Sequence, residues 1–172
     1  MPPDSSPAMV RALPSFEAFY EREYRAVVGL AYALSGSRFA AEDIAQDAFV
    51  AAHRVWGRVG MYDSPGAWVR RVVSNLSVSQ FRKRTREARA LARIALRRSD
   101  ALPPLPEPDD DFWKHVRALP RRQAQTIALF YLEDRSVADI AEILDCAENT
   151  VKVHLHKGRK TLAAKLGDEV ES

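Results

Sequence analysis

Polar and basic side chains recur at helical spacing near the C-terminus and could contact a polyanion. Steps of three, four, seven, eight and eleven residues from Asn149 to Lys160 bring them onto one face of a helix. The opposite stripe is apolar and carries Val151, Leu155 and Leu162, with Gly158 between them. The spacing therefore predicts a helix that packs by one face and presents cations, an amide and imidazoles on the other.

The preceding segment favours a helix-turn-helix over a solitary amphipathic helix in solvent. A short helix is predicted to follow Ser136, with Ala141 as the small residue at the helix crossing and Ile140 and Leu144 packing on the apolar stripe. Asp145 can adopt the left-handed conformation that the turn needs. Because the DNA major groove admits one α-helix, the pattern predicts double-stranded DNA as the ligand. The predicted contact residues are Asn149, Thr150, Lys152, Val153, His156, Lys157 and Lys160.

The composition excludes several other classes of protein. The chain has 172 residues, a formal net charge of +3 and a hydrophobic fraction of 47%, which suits one or two small packed domains. Its single cysteine, Cys146, cannot form an intrachain disulfide, and the four scattered histidines give no zinc-binding spacing. No apolar run approaches bilayer length, and the N-terminus lacks the apolar segment of a secretory signal. We therefore expect a cytoplasmic protein without membrane insertion, metal or cofactor.

The hydrophobic periodicity predicts an all-α protein of two small helical domains. The run SDALPPLPEPDDD, with four prolines and five acids, cannot form a helix or a core and predicts a flexible linker. Ser64-Pro65 is a typical helix start, and the helix that it begins is expected to reach about Arg84 and to continue beyond. The predicted organisation is a disordered N-terminus (1–15), an N-terminal domain of three or four helices (16–96), the linker (97–111), a C-terminal helix-turn-helix domain (112–166) and a tail (167–172).

Three segments together resemble extracytoplasmic-function (ECF, group IV) RNA polymerase sigma factors of the sigma-70 superfamily. LPRRQAQTIALFYLEDRSVADIAEILDCAENTVKVHLHKGRKTL is similar to the sigma4-like domain, which reads the minus-thirty-five promoter element. AEDIAQDAFVAAHRVW and SPGAWVRRVVSNLSVSQFRKR are similar to the sigma2-like domain. The resemblance covers about Phe16–Leu166 and implies a protein that is not an enzyme but gives RNA polymerase its promoter choice.

The resemblance also implies a surface for core RNA polymerase on the second helix. In the family this helix docks on the clamp coiled coil of the largest subunit. Here its outer face is acidic with one exposed valine, opposite a face of alanines, which suits a basic protein groove better than DNA. Members are commonly held inactive by an anti-sigma factor, so such a partner is expected as well. The implied polymerase-binding residues are Glu42, Asp43, Gln46, Asp47, Val50 and Arg54.

The third helix and the loop before it resemble the part of the family that reads the melted minus-ten element. An unstacked base needs an apolar or aromatic slot and polar edge partners, which this loop and helix could supply. Neighbouring cations, Arg70 among them, could follow the phosphate backbone, and Val78 is placed on the same face. Trp68 is expected to belong to the core. The implied minus-ten residues are Met61, Tyr62, Asp63, Ser64, Arg71, Asn75, Ser79, Arg82 and Lys83.

Two other functions compete with this interpretation. An autonomous helix-turn-helix regulator would explain residues 112–166 but neither the alanine-rich acidic helix nor the helix that begins at Ser64. An enzyme such as a recombinase would need a catalytic constellation, which the sequence does not offer. Ser79 and Ala147 stand where the family often has Asp and Ser, respectively. Because of such departures the sequence predicts neither the promoter sequence nor the inducing signal.

Overall fold

The computed structural model describes residues 12–95 and 111–170, and these residues form eight α-helices without a strand between them. Most of the predicted linker and most of the predicted disordered N-terminus lie outside the described residues. The helices are α1 (Phe16–Ser35), α2 (Arg38–Arg54), α3 (Trp56–Val59), α4 (Pro65–Ala95), α5 (Asp111–Arg117), α6 (Arg121–Tyr131), α7 (Val137–Leu144) and α8 (Glu148–Val170). The prediction of an all-α fold is therefore confirmed.

Serine side chains begin several of these helices. The Oγ atoms of Ser15, Ser37 and Ser64 each accept a hydrogen bond from the amide three residues further on, at 3.2–3.3 Å. Ser136 forms a full capping box, because the Asp139 carboxylate also accepts from the Ser136 amide at 3.2 Å. The predicted starts at Ser64 and Ser136 are thus confirmed. Ser37 begins α2 in the same way, and α4 runs without interruption to Ala95.

The N-terminal helices surround a core to which α2 contributes mainly alanines. α1 and α2 are joined by a tight turn at Gly36, whose φ of 71° favours glycine. A Cβ at this position would also lie 2.9 Å from Arg117 Nε. The alanine face of α2 is fully buried, as the periodicity predicted. Trp56 lies over this core and donates from Nε1 to the Pro14 carbonyl at 2.8 Å. The small alanine side chains let α1 and α2 approach closely.

The C-terminal helices contain the predicted helix-turn-helix. Asp145 ends α7 in the left-handed conformation (φ 54°, ψ 57°), and the Cys146 amide donates to the Ala141 carbonyl at 3.0 Å. The apolar stripe of α8 is buried, with Val151 fully inaccessible. At Gly158 a Cβ would lie 3.0 Å from Ile127 Cγ1, so α8 packs on α6 at close range.

The two groups of helices also pack against each other, which the sequence did not predict. α4 contacts α6 and α7, and α1 contacts α5 and α6. The contacts include a buried ion pair between Arg70 and Glu133 and a hydrogen bond from Arg117 Nη1 to the Ala33 carbonyl at 2.9 Å. The DNA-reading surfaces predicted on different domains are therefore held in a defined relation to each other.

Candidate functional site

The predicted DNA-reading face of α8 is open to solvent. Its apolar stripe is buried against α6 and α7, which turns the opposite face outward. Val153, the apolar member of this face, is 49% exposed and could meet a thymine methyl group. All seven predicted residues are exposed: Asn149, Thr150, Lys152, Val153, His156, Lys157 and Lys160.

Two neighbouring side chains of α8 are committed to packing instead. Arg159 donates from Nε to Tyr131 Oη at 2.7 Å and lies 4.9 Å over the Phe130 ring, so it braces α8 against α6. Burial lowers the pKa of His154 below its ordinary 6.5, and the nearby Arg122 and Lys157 lower it further. The surroundings of His154 therefore favour its neutral imidazole.

The loop between α3 and α4 presents an aromatic and a thioether side chain side by side. Met61 and Tyr62 are 39% and 38% exposed, and Asp63 beside them is exposed as well. Ser64 caps α4, where its Oγ accepts from the Ala67 amide at 3.2 Å, so its oxygen already has one partner. The loop thus exposes an aromatic ring on which a base could stack, directly before the N-terminus of α4.

The predicted minus-ten residues on α4 fall into two groups. Ser79, Arg82 and Lys83 are exposed. Arg71 and Asn75 are half-buried and hydrogen-bonded to the C-terminal helices. In this structure they do not form one continuous open surface.

Two further expectations for α4 are wrong. Arg70, expected on the phosphate backbone, is 3% exposed and donates to Glu23 and Glu133 instead. Val78, expected on the reading face, is 5% exposed and belongs to the core. Helical spacing placed both residues beside the predicted DNA-reading stripe of α4. Because other helices pack on α4, the stripe that stays exposed is narrower than predicted. Trp68 packs against the core, as expected.

The predicted polymerase-binding face of α2 is exposed along its whole length. Phe39, at the start of the same face, is 84% exposed and was missed, although it lies one helical turn before Asp43. A large apolar side chain this open is typical of a contact surface. The exposed predicted residues are Glu42, Asp43, Gln46, Asp47, Val50 and Arg54.

A groove of about 690 Å³ runs beside this face, between α1 and α2. Val50 and Arg54 line one wall and Glu17 and Glu21 of α1 line the other, with Tyr20 between them. Tyr20 recurs at helical spacing with the apolar residues of α1, so its position in the sequence gave no signal that it would line an open groove. The groove combines an apolar floor with an acidic rim on α1, whereas the α2 wall carries Arg54, so it fits an apolar side chain flanked by a cation on the α1 side.

Neither a membrane span nor a metal cluster is found in the part of the chain described. No described helix is both long enough and apolar enough to cross a bilayer. Within residues 12–95 and 111–170, His, Cys, Asp and Glu side chains nowhere gather in a group of three or more that could hold a metal ion.

Comparison with protein families identifies both halves of the chain. Residues 19–87 match sigma-70 region 2, and residues 111–162 match sigma-70 region 4. The two matches account for the helices that carry all three candidate surfaces. The chain therefore belongs to the sigma-70 family, and its relatives place it in the ECF group.

Its relatives include ECF RNA polymerase sigma factors from several bacteria. The chain is 28% identical to SigW of Bacillus subtilis over 81% of its own length and 82% of that protein. It is 29% identical to SigE of Mycolicibacterium smegmatis over 88% of its own length and 61% of that protein. It is 27% identical to SigM of Mycobacterium tuberculosis over 89% and 78%, respectively.

Solved structures of similar fold include a sigma factor bound to an anti-sigma factor. RpoE from Bartonella quintana, in complex with NepR, matches with a TM-score of 0.66 and 26% identity over 88% of this chain and 96% of that one. CnrH, in complex with the cytosolic domain of CnrY, has the same fold, with a TM-score of 0.62. The two sequences are 22% identical over 89% of this chain and 88% of CnrH. The match to region 2 disfavours an autonomous helix-turn-helix regulator, which would not need the N-terminal helices.

Proposed function

We propose that this ECF sigma factor directs promoter recognition through three surfaces, one for core RNA polymerase and two for DNA. The observation that carries the proposal is that α8 exposes its whole predicted polar face while its apolar stripe is buried in a helix-turn-helix. The same chain carries region 2 in its N-terminal half. Sigma factors are transcription initiation factors and not catalytic enzymes, so each surface acts by binding.

The exposed face of α8 is the surface for the minus-thirty-five element. Asn149 at its start and Lys152, His156 and Lys157 along it can reach base edges in the major groove, while the remaining cations meet phosphates. Neutralised phosphates release counterions, so binding should weaken as salt rises. Thr150, Val153 and Lys160 complete this surface.

The loop before α4 and the exposed stripe of α4 are the surface for the melted minus-ten element. Met61 and Tyr62 would stack on an extruded base, and Asp63, Ser64 and Asn75 would contact its polar edge. Arg71, Arg82 and Lys83 would follow the phosphates of the single strand, with Ser79 between them. This surface needs Arg71 and Asn75 to be free of their present partners.

The outer face of α2 and the adjoining groove are the surface for core polymerase. Six exposed side chains from Glu42 to Arg54 form it, and Phe39 and Tyr20 extend it with apolar area. An acidic rim around apolar residues complements a basic coiled coil such as the clamp of the largest subunit. Since the solved relative RpoE is bound to the anti-sigma factor NepR, an anti-sigma factor is a second proposed partner of this chain. Cytoplasmic localisation is proposed with these partners.

Reconstituted transcription tests this function directly. Core RNA polymerase with the purified chain would select templates from a random double-stranded DNA library, and run-off transcription would follow on the selected templates. Initiation at a defined distance from a shared sequence supports the proposal. If the chain binds DNA but never makes core polymerase initiate, the autonomous-regulator alternative takes its place.

A further inference from the structure

We propose that the segment just before α1 positions the minus-ten loop, with Leu13 and Pro14 as its positioning residues. The minus-ten loop is the connection from Gly60 to Ser64 between α3 and α4. Leu13 and Pro14 belong to neither proposed DNA surface, so they would act only through this loop. The inference rests on the proposed function, because the position of the loop matters for promoter reading only if the loop receives a base.

The segment is anchored on the indole of Trp56. This side chain is 7% exposed, and its Nε1 donates to the Pro14 carbonyl at 2.8 Å. An indole has a single N–H donor, and this bond satisfies it. The next residue, Ser15, has an extended backbone and caps the N-terminus of α1. Because proline also fixes its own φ, the chain has little freedom where it passes Trp56.

Trp56 is itself fixed by aromatic residues of α1. Its ring centroid lies 5.2 Å from that of Phe16, in an edge-to-face arrangement, and 4.8 Å from that of Phe19. Trp56 is also the first residue of α3, the short helix that leads into the minus-ten loop. The start of α1 and the start of the loop therefore share one well-packed aromatic contact.

Gly60 is the point where the segment meets the loop. Its φ of −62° and ψ of −18° are open to any residue, so its backbone conformation does not explain a glycine. The space around it does, because a Cβ would lie 2.8 Å from Trp56 Cε2 and 2.9 Å from Leu13 Cδ1. Leu13 therefore packs directly on the backbone of the loop, although the residue is 50% exposed.

Hydrogen bonds couple this contact to the side chains proposed to hold a base. The Met61 amide donates to the Arg58 carbonyl and the Tyr62 amide to the Val59 carbonyl, both at 3.1 Å. These bonds tie the exposed part of the loop to the backbone of α3. A shift at the preceding glycine must therefore move Met61 and Tyr62 as well.

A loop that is already in position binds a base more tightly than one that is ordered on binding. Ordering a loop at that moment costs free energy, and pre-organisation removes this cost. Leu13 lies at the surface, so shortening its side chain should loosen the segment without opening the core. Substitution at this position can therefore separate positioning of the loop from stability of the fold.

The methyl signal of Met61 in nuclear magnetic resonance reports the position of the loop in the full chain without DNA. The chain has three methionines, so carbon-13 labelling of their methyl groups gives few signals, and Met61→Leu identifies the one from the loop. We expect Leu13→Ala to shift or broaden this signal and Leu13→Ile to leave it near its wild-type position. Leu91→Ala is the matched control, because Leu91 is a 65% exposed leucine of α4 and its truncation should not change the signal.

Binding to single-stranded DNA tests whether the contact acts through the loop. The probe is a fluorescein-labelled pool of short random-sequence single strands, since stacking on an aromatic ring tolerates every base. Leu13→Ala should weaken binding by about fivefold, whereas Leu13→Ile and Leu91→Ala should bind as the wild type does. In a Tyr62→Ala background, Leu13→Ala should cause little further loss, because the ring that it positions is gone.

An unchanged Met61 signal in Leu13→Ala would overturn the inference, as would an equal loss of affinity with and without Tyr62. Trp56→Phe removes the hydrogen bond to Pro14, keeps an aromatic ring and should act in the same direction, which tests the segment a second time. If Tyr62→Ala itself binds single strands as the wild type does, the minus-ten part of the proposed function is wrong. The Met61 signal would then still decide whether Leu13 positions the loop.

Discussion

Arg70 Nη1 on α4 donates to Glu23 Oε2 on α1 at 2.7 Å, and this ion pair ties the two helices together in a nearly dry environment. The side chains are 3% and 15% exposed. Burial acts to lower the pKa of Arg70, but Glu133 and Glu23 outweigh it and raise the pKa overall. One guanidinium thus joins α1 to α4 within the N-terminal domain and, through Glu133, joins that domain to the other.

Arg70→Ala should destabilise the fold strongly, because it leaves the carboxylates of Glu23 and Glu133 without their main partner. Removing one member of a buried pair costs about 3 kcal/mol or more. Chemical denaturation of the full chain measures this change. Arg22→Ala is the control, since Arg22 also bonds to Glu23 but is 66% exposed and should cost at most about 1 kcal/mol. Equal effects of the two substitutions would contradict the assigned role of Arg70.

The pair also predicts how stability depends on pH. Burial acts to raise the pKa of Glu23, but hydrogen bonds from Arg70 and Arg22 outweigh it and bring the pKa below its ordinary 4.5. Because this pKa is lower in the folded than in the unfolded chain, the ionised Glu23 carboxylate contributes fully to stability above pH 4.5. That contribution is lost as the pH falls through the pKa of Glu23 in the folded chain. The free energy of unfolding should therefore decline below that pH, and Glu23→Gln should flatten the decline. Denaturation curves across this range test it, with Glu21→Gln, at an exposed position of α1, expected to behave as the wild type.

Lys157→Ala should weaken binding to a selected promoter duplex and make it less sensitive to salt. Lys157 is exposed on the recognition face of α8, where it can neutralise a phosphate. A plot of the logarithm of the binding constant against the logarithm of the salt concentration has a negative slope. Losing one phosphate contact should reduce the steepness of that slope by about one. Fluorescence anisotropy at several salt concentrations measures the slope. Lys114→Ala removes the same charge from α5, and a similar loss for that control would mean that α8 has no special role.

Asp47→Ala should weaken binding to core polymerase by roughly tenfold without unfolding the chain, because Asp47 is exposed on the acidic face of α2. Titration of labelled chain with core polymerase gives the affinity, and circular dichroism reports the fold. Glu87→Ala, an exposed acid of α4 that is 59% accessible, serves as the control. Unchanged affinity in Asp47→Ala would show that the polymerase docks elsewhere.

Local features of the fold were predictable because they depend on neighbours in the sequence. Ser37, Ser64 and Ser136 satisfy amides three residues away, so helix starts can be located from the chain alone. The alanine stripe of α2 and the apolar stripe of α8 follow from a period of 3.6 residues. Asp145 in the left-handed turn also needed only its immediate context.

By itself, then, the sequence determined the all-α class, the two helical domains, the helix-turn-helix and the outward faces of α2 and α8, since helical periodicity fixes which side of a helix is apolar. Only the tertiary structure decided what covers α4. Asn75 bonds to Arg121, forty-six residues away, and Arg70 bonds to Glu133, sixty-three residues away. An arginine suits a phosphate and a carboxylate equally well, so its residue type could not distinguish DNA contact from packing between the domains. That distinction depends on where distant helices pack, which local spacing does not specify.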